Sequence, residues 1–171
     1  MLIRHARTTL MAVAGTAGLA VLATPSAAHA SAPTVTAEPA DASAQSNPCD
    51  SWTDIDVFDP NGSRHFIVHV PTAGSQTKNA NCILGQHSSG NGVFKLQTAL
   101  ILCNQQVQLT HDGKYGPQTA AAVKGVQAAA GFPADQQDGV YGPATFKVTG
   151  FPGYNPDGSF SGVCFVFPRG L

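Results

Sequence analysis

Charge is scarce in this chain. Only 11% of its 171 residues are Asp, Glu, Lys or Arg, nine basic against ten acidic, which is low for a domain facing water. The basic residues are scattered and form no cluster, which argues against a protein that neutralises a nucleic-acid backbone. Glutamate is nearly missing: Glu38 is the sole example. Cleavage of a glycosidic bond needs two carboxyl groups flanking the sugar, and Asp112 and Asp138 are the only pair embedded in a motif. Turn formation explains both. There is no G-x-S-x-G sequence for a serine nucleophile on a strand-to-helix turn. Long apolar runs are also lacking, apart from Leu10 to Ala23, which at about 14 residues is short of the roughly 20 needed to cross a bilayer.

That run sits where an export signal would. Arg4, His5 and Arg7 precede it, Pro25 breaks it, and Ala28-His29-Ala30 fits the small-x-small cleavage rule. Residues 1–30 are therefore expected to be a signal peptide. Its removal leaves seven basic residues against ten acidic ones and a net charge near −3. Residues 31–48 are rich in Ala, Ser, Thr and Pro. They bury too little apolar surface to offset the cost of ordering and read as a flexible linker.

Four cysteines follow, Cys49, Cys82, Cys103 and Cys164. An even count in an exported chain points to two disulfides, in one of three pairings. Cys49–Cys82 with Cys103–Cys164 is preferred, since each bridge then closes one structural unit.

Residues 49–81 hold a β-hairpin pattern. Thr53 to Phe58 and Arg64 to Val70 flank Asp59-Pro60-Asn61-Gly62, a turn in which Pro60 presets φ and Gly62 accepts positive φ. Ile55 and Val57 share one face, as do Phe66, Val68 and Val70. Residues 92–104 then take helical period, with Val93, Leu96, Leu100 and Cys103 in one stripe and capping chemistry in Ser88 to Asn91. A second helix over 117–130 carries Ala120, Val123, Val126 and Ala130, with Gly131 as its stop. A third starts at Gly142-Pro143 and ends near Gly150. The tail, 151–171, is turn-rich around Asn155-Pro156-Asp157-Gly158, with an apolar run from Val163 to Phe167.

The chain repeats an octet. Asp112-Gly113-Lys114-Tyr115-Gly116-Pro117-Gln118-Thr119 returns as Asp138-Gly139-Val140-Tyr141-Gly142-Pro143-Ala144-Thr145, and Val93-x-x-Leu96-Gln97 returns as Val123-x-x-Val126-Gln127. Asp-Gly makes a tight turn, Tyr enters the core or its rim, and Gly-Pro opens a helix. Thr in the first turn can satisfy free N–H groups.

In this order, the two octets and two V-x-x-[LV]-Q phrases resemble the peptidoglycan-binding-like domain family over residues 82–150, including Gln97, Ala122, Val123, Gln127, Gly139 and Thr145. The resemblance implies a compact three-helix module of two related halves, found in secreted bacterial proteins and often joined to cell-wall hydrolases. Two places depart from the family: Val126, where a larger residue is usual, and Phe146-Lys147-Val148-Thr149 in place of a Trp/Ala/Leu ending. The expected fold is thus mainly α, a three-helix bundle with an N-terminal β-hairpin and a disulfide-pinned C-terminal tail.

The function implied is secreted, cell-wall-associated binding of bacterial peptidoglycan by a monomer, without catalysis, nucleic acid or membrane partner. Two alternatives share the scaffold: a secreted protein-interaction or inhibitor module, and a cell-wall hydrolase accessory or zinc amidase. Metal chemistry has little to draw on. His65 and His69 share a strand face but stand about 13 Å apart, and His87 and His111 lie in loops without a motif. No cofactor or metal is expected. The candidate ligand contacts are Tyr115, Gln118, Gln127 and Tyr141, as aromatic faces and amides near the helix starts. Against that stands a purely structural role for the two tyrosines within a repeated turn.

Overall fold

A computed structural model describes residues 47–171; the expected signal peptide and all of the linker but its end lie outside the described residues. The elements run β1 (Ser51–Phe58), β2 (His65–Thr72), α1 (Asn91–Cys103), α2 (Pro117–Ala129), α3 (Pro143–Phe146), β3 (Phe151–Tyr154) and β4 (Phe160–Phe165), with a 3₁₀ turn at Ala134–Gln136. The strands form one antiparallel sheet in the order β1-β2-β3-β4.

This corrects the expectation of a mainly α protein. The fold mixes a four-stranded sheet with two full helices and one single-turn helix. The N-terminal hairpin and the C-terminal tail are halves of the same sheet, and the helical repeats are threaded between its central strands. Strand β3 is hard to see in sequence because Phe151-Pro152-Gly153-Tyr154 contains two residues that strands usually avoid. Both have local reasons. Pro152 lies where the β3–β4 register shifts. At Gly153 a Cβ would fall 2.4 Å from the Phe165 ring, so only glycine lets that ring lie flat on the strand.

The third helix is one turn, not the stretch to Gly150. Asn104 ends it from outside: its Nδ2 donates to Gly150 O at 2.9 Å and its Oδ1 accepts from Gly150 N at 3.1 Å. That pair steers the chain straight into β3.

The β1–β2 register pairs Ile55 with Val68 and Val57 with Phe66. Phe66, Val68 and Val70 are buried. Both hairpins turn on the same device. Gly62 N donates to Asp59 O and Gly158 N donates to Asn155 O, each at 2.8 Å, and both glycines have positive φ. A hairpin alone is marginal in water; here β3 and β4 widen it.

Helix α1 lays its Val93, Leu96 and Leu100 stripe on β2 and β3. The α2 face is rotated from the expected one. Thr119, Ala122, Val123, Val126 and Gln127 are buried, while Ala130 is exposed. The core joins these to Leu84, Tyr115, Tyr141, Phe146 and Phe151. The helices meet largely through the tyrosine turns that precede α2 and α3, and less by direct contact with each other.

The structure bonds Cys49 to Cys82 and Cys103 to Cys164. The first holds the start of β1 beside Ile83, where Cys49 N donates to Ile83 O at 3.1 Å and Ile83 N to Asn47 O at 2.9 Å. The second clamps the last turn of α1 to β4. In loop models of the unfolded chain, bridges of these spans contribute roughly 3–4 kcal/mol each. At the other end of α1, Gly92 abuts the first bridge, and a Cβ there would lie 1.9 Å from Cys49 O. The start of α1 relies on Gly90 at φ 107° and no side-chain cap; Ser88 Oγ instead accepts from Gly85 N at 3.2 Å.

Candidate functional site

The repeated octet folds the same way twice, around a buried glutamine. In the first copy, Gln97 Nε2 lies 3.0 Å from Asp112 Oδ1, 3.0 Å from Lys114 O and 3.2 Å from Thr119 Oγ1. Its Oε1 accepts from Asp112 N at 3.1 Å and Gly113 N at 2.7 Å. In the second, Gln127 Nε2 lies 2.8 Å from Asp138 Oδ1, 3.1 Å from Val140 O and 3.2 Å from Thr145 Oγ1, and Oε1 accepts from Gly139 N at 3.0 Å. Each Asp also accepts from the backbone two residues on, at 2.9 Å. A primary amide, with two N–H donors and a carbonyl acceptor, can both donate to a carboxylate and accept from backbone N–H at this point. Each threonine accepts from the glutamine and donates to the carbonyl five residues back; it does not cap its helix through N–H groups. The amide of Gln97 and the backbone N–H of Lys114 hold the Asp112 carboxyl below its ordinary range.

The tyrosines lock the two copies together. Tyr115 O–H donates to Gly139 O at 2.8 Å. Tyr115 N donates to Ser88 O and accepts in return, its carbonyl receiving His87 N–H at 3.1 Å; Leu84 and Tyr141 exchange backbone bonds of 2.8 and 2.9 Å. Burial pushes both phenols above their usual range. The Tyr141 hydroxyl has no hydrogen-bond partner among the described residues.

Of the four candidate contacts, therefore, three face inward. Tyr115 and Gln127 are each 2% exposed and Tyr141 is 0%. In this structure the two rings fill the angle between turn and helix, and Gln127 closes the second turn. Gln118 alone stands exposed, where its Oε1 accepts from Thr110 Oγ1 at 3.0 Å.

Gln118 lines an open cleft of ≈ 260 Å³ with Thr110, Asp112, Lys114 and Pro117. The second octet carries the matching cleft, ≈ 360 Å³, where Val140, Ala144, Phe132 and Asp135 stand instead. One corner thus yields two clefts of different lining: Lys114 and Gln118 stand in the first where Val140 and Ala144 stand in the second. Beside the first, Phe94 is 40% exposed and stacks on His111 with ring centroids 3.7 Å apart. His111 Nε2 lies 2.8 Å from Thr98 Oγ1, which fixes the ring. Sequence reading passed over Phe94 and Thr110 and weighed His111 only as a metal ligand; the outward helical position of Phe94, off the Val93/Leu96 stripe, was the available signal. A larger groove, ≈ 490 Å³, lies between the C-terminal ends of α1 and α2, but Asn104 and Gln106 in it are committed to backbone partners. Among the described residues no three His, Cys, Asp or Glu side chains converge as metal ligands, and no helix is long and apolar enough to cross a membrane.

Comparison with known proteins bears on this same region. The chain is 34% identical over 87 residues to a probable N-acetylmuramoyl-L-alanine amidase of Bacillus licheniformis, a match that covers 50% of this chain and 24% of that protein. The chain therefore spans about a quarter of that relative's length. No solved structure matches. Residues 89–148, the segment that holds the doubled glutamine corner, match the model of the putative peptidoglycan binding domain family.

Proposed function

We propose that the protein is exported and binds bacterial peptidoglycan without cleaving it, through the cleft of the first octet. The observation that carries this is the open cleft whose rim bears the exposed side chains of Thr110, Lys114 and Gln118, built on a corner within the family-matched segment. Its geometry suits a sugar or stem-peptide group: Gln118 and Thr110 offer amide and hydroxyl partners, Lys114 offers a cation for a carboxylate, and the Phe94–His111 stack offers a flat apolar face. Export is supported by two disulfides, which belong to oxidising compartments, and by the apolar run of residues 10–23. The protein is read as a monomer with peptidoglycan as its only partner.

Several observations support a binding role without chemistry. All four cysteines are in disulfides, so no thiolate is offered as nucleophile. Asp112 and Asp138 each serve their own turn, in separate clefts, and Asp112 is held ionised, the wrong state for a general acid. The test is co-sedimentation of the purified protein with insoluble peptidoglycan. Gln118→Ala combined with Lys114→Ala should move most of the protein to the supernatant. If the unaltered protein never pellets, the proposal fails. The amidase relative favours one second reading, an accessory or hydrolytic role in wall turnover. Release of soluble muropeptides, abolished by a chelator, would establish it in place of the first.

A further inference from the structure

The sheet has an outer face that the helices do not cover, and its side chains are an unusual set. Cross-strand pairing places Ile67 opposite Tyr154, and Tyr154 opposite Phe160. On the same face Phe58 stacks on His65 with centroids 4.9 Å apart, His69 meets Tyr154 at 4.9 Å, and Tyr154 meets Phe160 at 6.3 Å. Phe58 is 59% exposed and Phe160 39%. Two carboxylates stand among these rings. Asp56 Oδ1 lies 2.7 Å from His65 Nε2, and Asp54 Oδ1 lies 2.6 Å from His69 Nδ1. The four strands hold no lysine or arginine. Lys95 from α1 lies over Trp52 at the edge of β1, 5.1 Å from the ring centroid, near the Asp54 end.

In a protein so poor in charge, two carboxylates on one aromatic face define a ligand chemistry. Each imidazole takes up one oxygen of its Asp, which leaves the other lone pairs for an incoming donor. Rings beside a carboxylate favour an ammonium group, through cation–π attraction and charge-assisted hydrogen bonds. Rings spread over a flat sheet also favour the apolar faces of sugar rings. The two His–Asp pairs are about 13 Å apart, four residues along β2, so a ligand that meets both is an extended chain. Apart from Lys95 at its edge, nothing in this face comes from residues 89–148.

We propose that the outer sheet face is a second glycan site, which binds amino-sugar chains carrying free, unacetylated amines. The sugar rings lie on Phe58, Tyr154 and Phe160, and the amines meet Asp54 and Asp56. The proposal builds on the wall-binding reading by naming a second wall component class, but its site and probe are separate.

The test uses the purified full chain and two soluble probes, a glucosamine hexamer and an N-acetylglucosamine hexamer, followed by calorimetry. Binding should favour the glucosamine hexamer by about tenfold or more, and that margin should vanish in Asp54→Asn/Asp56→Asn, because each ammonium–carboxylate contact beside a ring contributes at this scale. Phe58→Ser/Phe160→Ser should weaken both hexamers; its altered residues are exposed and the fold tolerates them. Pelleting with peptidoglycan should persist in both variants, through the first-octet cleft. Equal affinity for the two hexamers, no binding of either, or unchanged binding in the Asn variant would each overturn the site. Failure of the unaltered chain to pellet would instead defeat the wall-binding reading and leave this test standing.

Discussion

Replacing Gln97 with glutamate changes one atom of the corner and reverses its electrostatics. The amide Nε2 sits 3.0 Å from both Asp112 Oδ1 and Lys114 O. In Gln97→Glu an acceptor oxygen would face two acceptors there, and one of them is ionised at neutral pH. The introduced carboxylate would face that ionised group, and the lost donor bonds of the buried amide cost about 1–3 kcal/mol. Solvent around Asp112 screens the repulsion, and the Gly113 N–H remains bonded to the other oxygen. The expected loss is therefore about 1–3 kcal/mol at pH 7.5, a sizeable part of a domain's stability. The sign with pH makes the test decisive. The introduced carboxyl would have a folded pKa raised above its unfolded value, near 4.3 for glutamate, so the variant is most stable below that value and loses stability as pH rises. Asp112 in the unaltered protein has the opposite sign, because its folded pKa is lowered. The gap between the two proteins should therefore widen from pH 4.5 to 7.5. Urea titrations with disulfides intact, read by Trp52 fluorescence, measure it. A loss under about 1 kcal/mol at pH 7.5, or a gap that does not change with pH, would refute the glutamine as the centre of the corner.

Other expectations are as direct. Gly92→Ala should lower Tm sharply, by an amount equivalent to about 3 kcal/mol, because the new methyl meets a disulfide-anchored backbone oxygen at 1.9 Å; a rise in Tm, as helix propensity alone would give, refutes the close approach. The two tyrosines should part company in chemical denaturation. Tyr115→Phe should cost about 1 kcal/mol through the lost bond to Gly139 O, while Tyr141→Phe should be neutral or stabilising, since its hydroxyl is buried without a partner. Equal losses would contradict this. With pH, Asp59, Asp112 and Asp157 have lowered folded pKa values, chiefly from side-chain hydrogen bonds with Ser63, Gln97 and Ser159. Their stabilisation is complete above the ordinary value of 3.8 and is lost as pH falls through the lowered ones. The phenols of Tyr115, Tyr141 and Tyr154 are raised by burial, so their contribution is full below about pH 10 and is lost as pH rises further. Melting temperature should thus fall at both ends of a pH series, and a flat alkaline limb would be inconsistent with buried tyrosines.

The parts legible in sequence were those written in local chemistry. The hairpin turn at Asp59 to Gly62, the Leu96 stripe and the tyrosine corners each rest on residues a few positions apart. The sheet was not legible, because β3 is made by what surrounds it: Pro152 fits at a register shift and Gly153 yields to the Phe165 ring. A pattern reader sees only turn formers there. The buried amides were legible only in part. Both stand in the repeated V-x-x-[LV]-Q phrase, where bonding to nearby loop backbone is one reading, and only the fold shows each closing over an Asp-Gly turn from a different helix. The same applies to Phe94 and His111, seventeen residues apart and stacked, and to the two His–Asp pairs, which depend on strand register.

Threading the helical unit between β2 and β3 also limits how this protein could have been assembled. A segment such as 89–148, lifted out and spliced elsewhere, would carry Cys103 without Cys164 and leave Gly92 with nothing to nestle against. The sheet left behind would lose the α1 stripe that covers β2 and β3. Here the matched segment serves as a keystone: it closes the core over the sheet and is pinned to β4 through Cys164.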